Sequence, residues 1–412
     1  MVIERTTKLE RFILWVGVIL IFLPKINIIS VSGQSAGLRI DDLILMLIFA
    51  FVCFSKKFKK KSEIEQAFLI MICFWVFSNL LNITLFSRSN LLYSLRYIEY
   101  FMFFYVGILF SRKYSIHTFI FYLVGINAIV IFLQLNGLLG GFSSEGAVSD
   151  VSSRAIGLTG GPWEIGAMLN FCFAIFAFDT HKKHKKIKVI IFYIVTFVLI
   201  LATASRMPML AHLILLLIYV YKESSNKLFF ILYTSALALI ILGVFLSFSK
   251  SISDRSENTF SGENINIFIN SYKSVVIRDH LTEFPEFEYD DMVDYSWFIR
   301  MSKWTYAIKY WLNVPIAWLF GVGPGTWGIA LDGGILRLIT ETGIIGSILF
   351  IRFLKKCAST DFSLVLVVLA LVISMLMIDI HISYKSMALL LFAVGYFYNV
   401  RQRNLDIKIN DG

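Results

Sequence analysis

The chain has 412 residues, 58% of them hydrophobic and only 16% charged, and a mean hydropathy of +0.75. A water-soluble domain has no interior large enough to hide that much apolar surface, so the composition excludes a soluble enzyme and points to an all-α, polytopic integral membrane protein. A net charge of +10 would suggest nucleic acid as a partner for a soluble protein; here the sign follows the membrane faces, and membrane lipids, with no nucleic acid, are the expected surroundings.

Apolar runs close to bilayer length begin near Phe12, Leu43, Ala67, Leu91, Ile116, Ile156, Ile187, Met207, Leu228, Gly334, Phe362 and Ser386. They predict about 12 transmembrane helices. The first run has no small-residue cleavage site behind it and reads as a membrane helix, not a signal peptide. From Val189 to Tyr221 the only fully charged residue is Arg206. As one helix this run would be roughly 50 Å long against a hydrocarbon core of about 30 Å, so it must be two helices joined by a tight turn. Pro208 suits the first turn of the second helix, and Ser205 suits its cap.

With a cytoplasmic N-terminus, about 23 of the 38 Lys and Arg fall on inner segments such as "KKFKKK" and "HKKHKKIK". The short outer loops carry only Lys25, Arg39, Arg88, Arg154, Arg206 and Lys385. This bias predicts that both termini are cytoplasmic and that Arg206 faces outward. The expected organisation is then residues 1–248 with transmembrane helices one to nine, 249–332 as a large outer loop, and 333–412 with the last three helices and a cytoplasmic tail. The outer loop opens with an acidic, aromatic stretch, "DHLTEFPEFEYDDMVDYSWF". It continues into "IRMSKWTYAIKYWL", where Trp304, Ala307, Ile308, Trp311 and Leu312 recur at the spacing of an amphipathic surface helix. The four cysteines avoid the outer loops, so no disulfide is expected, and no Cys/His spacing resembles a metal site.

Arg154, Arg206 and Arg300 mark the predicted outer face. Cations normally gather inside, and guanidinium binds a phosphate or diphosphate bidentately, so these three are the candidate anion ligands. Each taken alone could instead snorkel to lipid headgroups or cap a helix C-terminus. "GVGPGTWG" lacks the Gly-Lys-Ser/Thr ending of a phosphate-binding loop and reads as a tight turn, whose backbone N–H groups could also hold an oxyanion. Arg337 and Glu341 (i, i+4) and Arg96 and Glu99 (i, i+3) read as structural pairs inside the membrane. Asp332 could serve as a base or cap the following helix. His280 and His381 are minor base candidates, and His212 reads as packing.

Taken in order, "LRIDDLILML", "SSRAIGLTGGPWEIGAML", "TASRMPML", "IRMSKWTYAI", "LFGVGPGTWG" and "LRLITETGIIGSILF" resemble the O-antigen polymerase (Wzy-type) and O-antigen ligase family of bacterial envelope proteins. The resemblance covers most of the chain. It implies a GT-C-like helical bundle with one large outer loop, in the bacterial cytoplasmic membrane, with the active site on the periplasmic side. It implies a glycosyltransferase that uses a polyprenyl-diphosphate-linked oligosaccharide and needs neither metal nor nucleotide cofactor. A chain-length regulator and a flippase of the same route would be partners. The family's arginine at its Ser-Arg element corresponds to Arg206, and the one before the outer-loop Trp corresponds to Arg300; both are implicated in handling the lipid diphosphate. Ligases of the family share a His-Asn pair nine residues before the late Glu-x-Gly. Here that position is Asp332, followed by glycine, which favours the polymerase branch over the ligase. A flippase for the same lipid-linked sugars is the third reading; the unpaired cations at the outer edge and the lack of a repeat argue against it.

Overall fold

The computed structural model of the chain describes residues 7–24, 27–30, 37–54, 62–86, 91–143, 146–148, 154–182, 184–224, 269–270, 272–273, 275, 295–328 and 331–411. The expected ninth span, most of the acidic aromatic stretch, His280 and "KKFKKK" lie outside the described residues. The described part is helical, apart from two short antiparallel hairpins, Asn27–Ser30 with Gly37–Arg39 and Gly141–Ser143 with Gly146–Val148.

In chain order the helices are α1 (Lys8–Phe22), α2 (Ile40–Phe54), α3 (Glu63–Phe86), α4 (Leu91–Ser111), α5 (Ile116–Leu135), α6 (Pro162–Phe178), α7 (Lys186–Ala202) and α8 (Arg206–Glu223). After them come α9 (Tyr295–Asn313), α10 (Pro315–Phe320), α11 (Gly334–Ala358), α12 (Phe362–Met375) and α13 (Tyr384–Asp411), the last two joined through a 3₁₀ turn at Ile380–Ile382. Among the described residues three helices are long and apolar enough to cross a membrane, within α3, α5 and α11; α6 and α12 are shorter apolar helices. The 189–221 run does split, with Ala204 in a left-handed turn between α7 and α8.

The bundle exposes many large apolar side chains. Phe12, Leu47, Phe121, Phe132, Ile191 and Ile348 are all exposed, an arrangement that suits lipid and not water. The centre is the first half of α13, where Met387 to Val394 have essentially no exposed surface. It crosses α4 at a glycine pair. A Cβ on Gly107 would lie 2.0 Å from the Phe392 carbonyl oxygen, and one on Gly395 would lie 1.9 Å from that of Phe104. Small residues let two apolar helices meet backbone to backbone, which is how association is gained where lipid removes the hydrophobic driving force.

The polar connections segregate to two ends. One end carries Glu10 with Arg112, His117 with Asp179, Glu63 with Lys356, and Arg403 with Ser111. The start of α1 and the C-terminal part of α13 both lie there. The other end carries the α5–α6, α7–α8 and α12–α13 connections and the loop before α11. Lys385, expected in an outer loop, is instead 1% exposed at this end. Its Nζ donates to the carbonyls of Leu20, at 2.6 Å, Ile21 and Leu23. The cation thus caps the C-terminus of α1, where the unpaired carbonyls favour positive charge.

The α11 helix is broken at Gly343 (φ 68°, ψ −178°). Beside the break, the carbonyls of Thr340 and Glu341 accept from Val322 N and Gly323 N, both at 2.9 Å. The "GVGPGTWG" loop is therefore stitched to the inside of α11. Those two amides are spent on the helix and are not open to an oxyanion. A side chain at 343 meets two obstacles: a backbone conformation nearly restricted to glycine, and the Leu319 carbonyl oxygen 2.3 Å from its Cβ. Gly343→Ala is expected to destabilise the fold by at least about 3 kcal/mol. Thermal unfolding of the detergent-solubilised protein checks this; an unchanged midpoint would disprove the break.

Candidate functional site

The end of the bundle that holds the predicted arginines is built on two buried carboxylates. Glu164, in the first turn of α6, is 0% exposed. Its Oε2 accepts from Gly160 N at 2.8 Å, and its Oε1 accepts from Lys385 N at 3.0 Å and from the Ser383 hydroxyl. Asp379, just before the 3₁₀ turn, is 5% exposed. Its carboxylate collects three successive amides: Leu331 N (2.8 Å) and Asp332 N (3.3 Å) on Oδ2, and Gly333 N (3.1 Å) on Oδ1. It also faces Arg337 Nη1 at 2.9 Å. The short segment 379–385 therefore ties the start of α6 to the loop that precedes α11.

Arg337 is fully buried. Nε donates to Glu341 Oε1 at 3.1 Å, the i, i+4 contact that the spacing predicts, and Nη2 donates to the Gly328 carbonyl at 2.6 Å. Its charge is met by two carboxylates and a carbonyl, so it is spent on structure. Arg96 is half-buried with its guanidinium 4.9 Å from the Tyr93 ring centroid, and Glu99 on the next turn is also half-buried.

Arg154 and Arg206 come to the same turn. Arg154 Nε donates to the carbonyl of Thr203 at 3.3 Å, capping the C-terminus of α7, while Ala155 N donates to Ala202 O. Arg154 therefore does what the plainer reading of these arginines suggests. The loop behind it is held from α5: Gln134 Oε1 accepts from Ile156 N and Gly157 N, and Asn127 Oδ1 accepts from Leu158 N. Arg206 is the first residue of α8 and is exposed. Ser205 stands at the cap position without a side-chain cap bond. A cation at a helix N-terminus opposes the helix dipole, so Arg206 is not a dipole cap, and the positive end of the dipole there favours an anion.

Arg300 and Asp332 form the second group. Arg300 Nε donates to Asp332 Oδ2 at 3.0 Å, and the two side chains are 36% and 40% exposed. Asp332 does not cap α11; Gly333 stands at that position, with no side-chain cap bond. The helix that carries Arg300, α9, forms where the amphipathic pattern predicts, but with a different face inward. Met301, Ser302, Thr305, Tyr306, Ala307 and Tyr310 are buried, whereas Leu312 is exposed and Trp304, Ile308 and Trp311 are half-buried. The indoles lie at the edges because each N–H has a carbonyl to reach, Leu331 O for Trp304 and Ala317 O for Trp311.

Of the histidines, His212 is buried and stacked on Tyr193, with Asn170 and Thr196 on its nitrogens. His381 is 2% exposed, and burial pushes its imidazole down to about 4. All four cysteines are free, and among the described residues no cluster of His, Cys, Asp and Glu could hold a metal ion. Sequence reasoning missed Glu164 and Asp379. Both were legible only as lone acids in apolar surroundings, "GPWEIG" and "MIDIHI".

No family model matches the chain. No curated protein matches it either.

Asp379 and Asp332 differ in burial, and their substitutions should differ accordingly. Asp379→Ala strips one partner from a buried arginine and orphans three amides, at about 3–5 kcal/mol. Asp332→Asn alters an exposed pair, at about 1 kcal/mol or less. Unfolding midpoints of the two variants, measured side by side, check the ranking; equal shifts would contradict it.

Proposed function

We propose that the protein is a polysaccharide polymerase of the O-antigen or capsule type, working in a bacterial cytoplasmic membrane. The donor is a growing glycan on polyprenyl diphosphate, and the acceptor is a hydroxyl of the next lipid-linked repeat unit. The proposal carries with it the orientation drawn from the Lys/Arg bias: about 12 spans, both termini cytoplasmic, and the Arg206 end facing outward.

The observation that carries this reading is the placement of Arg206. It is an exposed cation at the N-terminus of α8, beside Arg154, where the helix itself already attracts negative charge. A diphosphate there would lie against both an arginine side chain and the positive end of a helix dipole. Arg300, half-buried at this end, is the second cation for the same class of anion. The resemblance described above supplies the sugar-lipid chemistry that such a clamp would serve, and the aspartate at 332 favours polymerase over ligase.

In this reaction the acceptor oxygen attacks the anomeric carbon of the donor. The new glycosidic C–O bond forms as the C–O bond to the diphosphate breaks. The hydroxyl proton passes to solvent or to the released diphosphate, and polyprenyl diphosphate departs. Diphosphate is a good leaving group, so charge stabilisation of the departing oxygen counts for more than a strong base. Arg206 and Arg300 would supply it, with Arg154 as the third candidate, and holding two lipid-linked partners in one membrane plane removes much of the entropy of encounter.

Purified protein supplied with a polyprenyl-diphosphate-linked repeat unit should build a ladder of carrier-bound products. Arg206→Ala should cut its formation at least about 100-fold with folding intact. Ladders of normal length from the variant would refute the clamp. The same reaction should proceed unchanged in EDTA, because the bond that drives it is already activated; loss of product on chelation would contradict the proposed chemistry.

A further inference from the structure

Asp332 sits where a base for the acceptor hydroxyl was expected, yet its surroundings give it a different task. Its Oδ2 is committed to Arg300 Nε at 3.0 Å. Among the described residues, the two terminal nitrogens of Arg300 have no partner. A guanidinium gripped by Nε keeps its Nη1–Nη2 edge free, and that edge matches two oxygens of a phosphate. An exposed ion pair of this kind adds little stability, so the contact is better explained by orientation than by folding.

The grip is itself held from behind. Asp332 has φ +57°, a left-handed conformation that a short polar side chain tolerates better than most. Its own N–H and those of Leu331 and Gly333 all end on the buried Asp379 carboxylate. Arg300 is fixed to the same loop a second time. Trp304 lies one turn further along α9, on the same face, and its indole N–H reaches the Leu331 carbonyl at 2.9 Å. Gly333 lets that ring lie flush, since a Cβ there would be 2.9 Å from Trp304 Nε1. Asp379 thus sets the loop, the loop sets Asp332 and the register of α9, and Asp332 sets the guanidinium.

We infer that Asp332 is a positioning residue, which holds Arg300 by Nε and turns its outer edge toward the diphosphate of the lipid-linked donor, and that Asp379 acts behind it by fixing the 331–333 loop. This rests on the diphosphate-lipid reading above. It replaces the role of acceptor base for Asp332.

The test uses the whole protein in nanodiscs, with two readouts: binding of undecaprenyl diphosphate, and ladder kinetics with a polyprenyl-diphosphate-linked repeat unit. Arg300→Ala should abolish the Arg300 share of binding. Asp332→Ala should weaken binding and raise KM for the donor about tenfold or more, with a smaller change in kcat, as expected for loss of one hydrogen bond to a charged group. Asp332→Asn keeps an oxygen acceptor for Nε and should recover most of that loss, with a pH profile of kcat/KM that overlays the wild type. A base cannot be rescued this way, because an amide takes no proton. If Asp332→Asn is as inactive as Asp332→Ala, and its profile loses the acidic limb, the residue is a base and the inference is wrong. It is also wrong if Arg300→Ala leaves undecaprenyl diphosphate binding untouched, or if both Asp332 variants behave as wild type. Binding that depends on Arg300 and Asp332 without any ladder would instead leave the positioning role standing and remove the polymerase reading. Asp379→Asn should follow Asp332→Ala in KM; where it fails to fold, the Asp332 pair alone decides.

Discussion

A fully buried arginine holds this end of the bundle together. Arg337 has no contact with solvent, so every nitrogen of its guanidinium has to be met from within. It is met by Glu341 one turn on, by Asp379 from the α12–α13 joint, and by the Gly328 carbonyl from the glycine-rich loop. Those partners come from three separate stretches of chain, and one cation fixes their mutual positions. Replacing such a cluster with apolar side chains of equal volume can be neutral for stability. The value of the cluster here is geometric: it specifies one arrangement of the loop before α11 among the many that an apolar contact would permit.

Asp379 passes that constraint on. The same carboxylate that neutralises Arg337 gathers three successive amides from 331–333. Glu164 does the equivalent work at α6, where it collects a loop amide, the Ser383 hydroxyl and the Lys385 amide. Lys385 in turn closes the end of α1. The result is a continuous polar seam across one end of an otherwise apolar bundle. It keeps the loops there in fixed positions without a hydrophobic driving force between the helices.

The charges at this end divide by burial. Arg337, Glu341, Asp379, Glu164 and Lys385 are all less than one-tenth exposed and are satisfied by the protein itself. Arg206 is exposed, and Arg300 is about one-third exposed with its outer nitrogens unoccupied among the described residues. Arg154 is intermediate, half-buried and already donating to the α7 C-terminus. The buried set supplies rigidity and the exposed set supplies reach. In the reaction proposed above, that combination would stabilise the leaving anion, because donors already in place need not reorganise as charge develops.

By itself the sequence determined the helical class and the split of the 189–221 run, because apolar run length and helix periodicity are local properties. It also determined that Arg337 can meet Glu341, since four residues on a helix are neighbours whatever surrounds them. Tertiary structure decided the rest. Which face of α9 turned inward depended on the Ala317, Val322, Trp327 and Leu331 side chains packed against Tyr306 and Tyr310, not on the pattern of α9 alone. The break at Gly343 depended on α10 and the loop after it pressing against α11. Asp379 gained its role from amides some 46–48 positions away, and Glu164 from a hydroxyl 219 positions away. No local pattern encodes pairings of that range. A lone acid in an apolar stretch signals that a partner exists, because a buried charge cannot stay unpaired, but only the folded chain says which partner it finds.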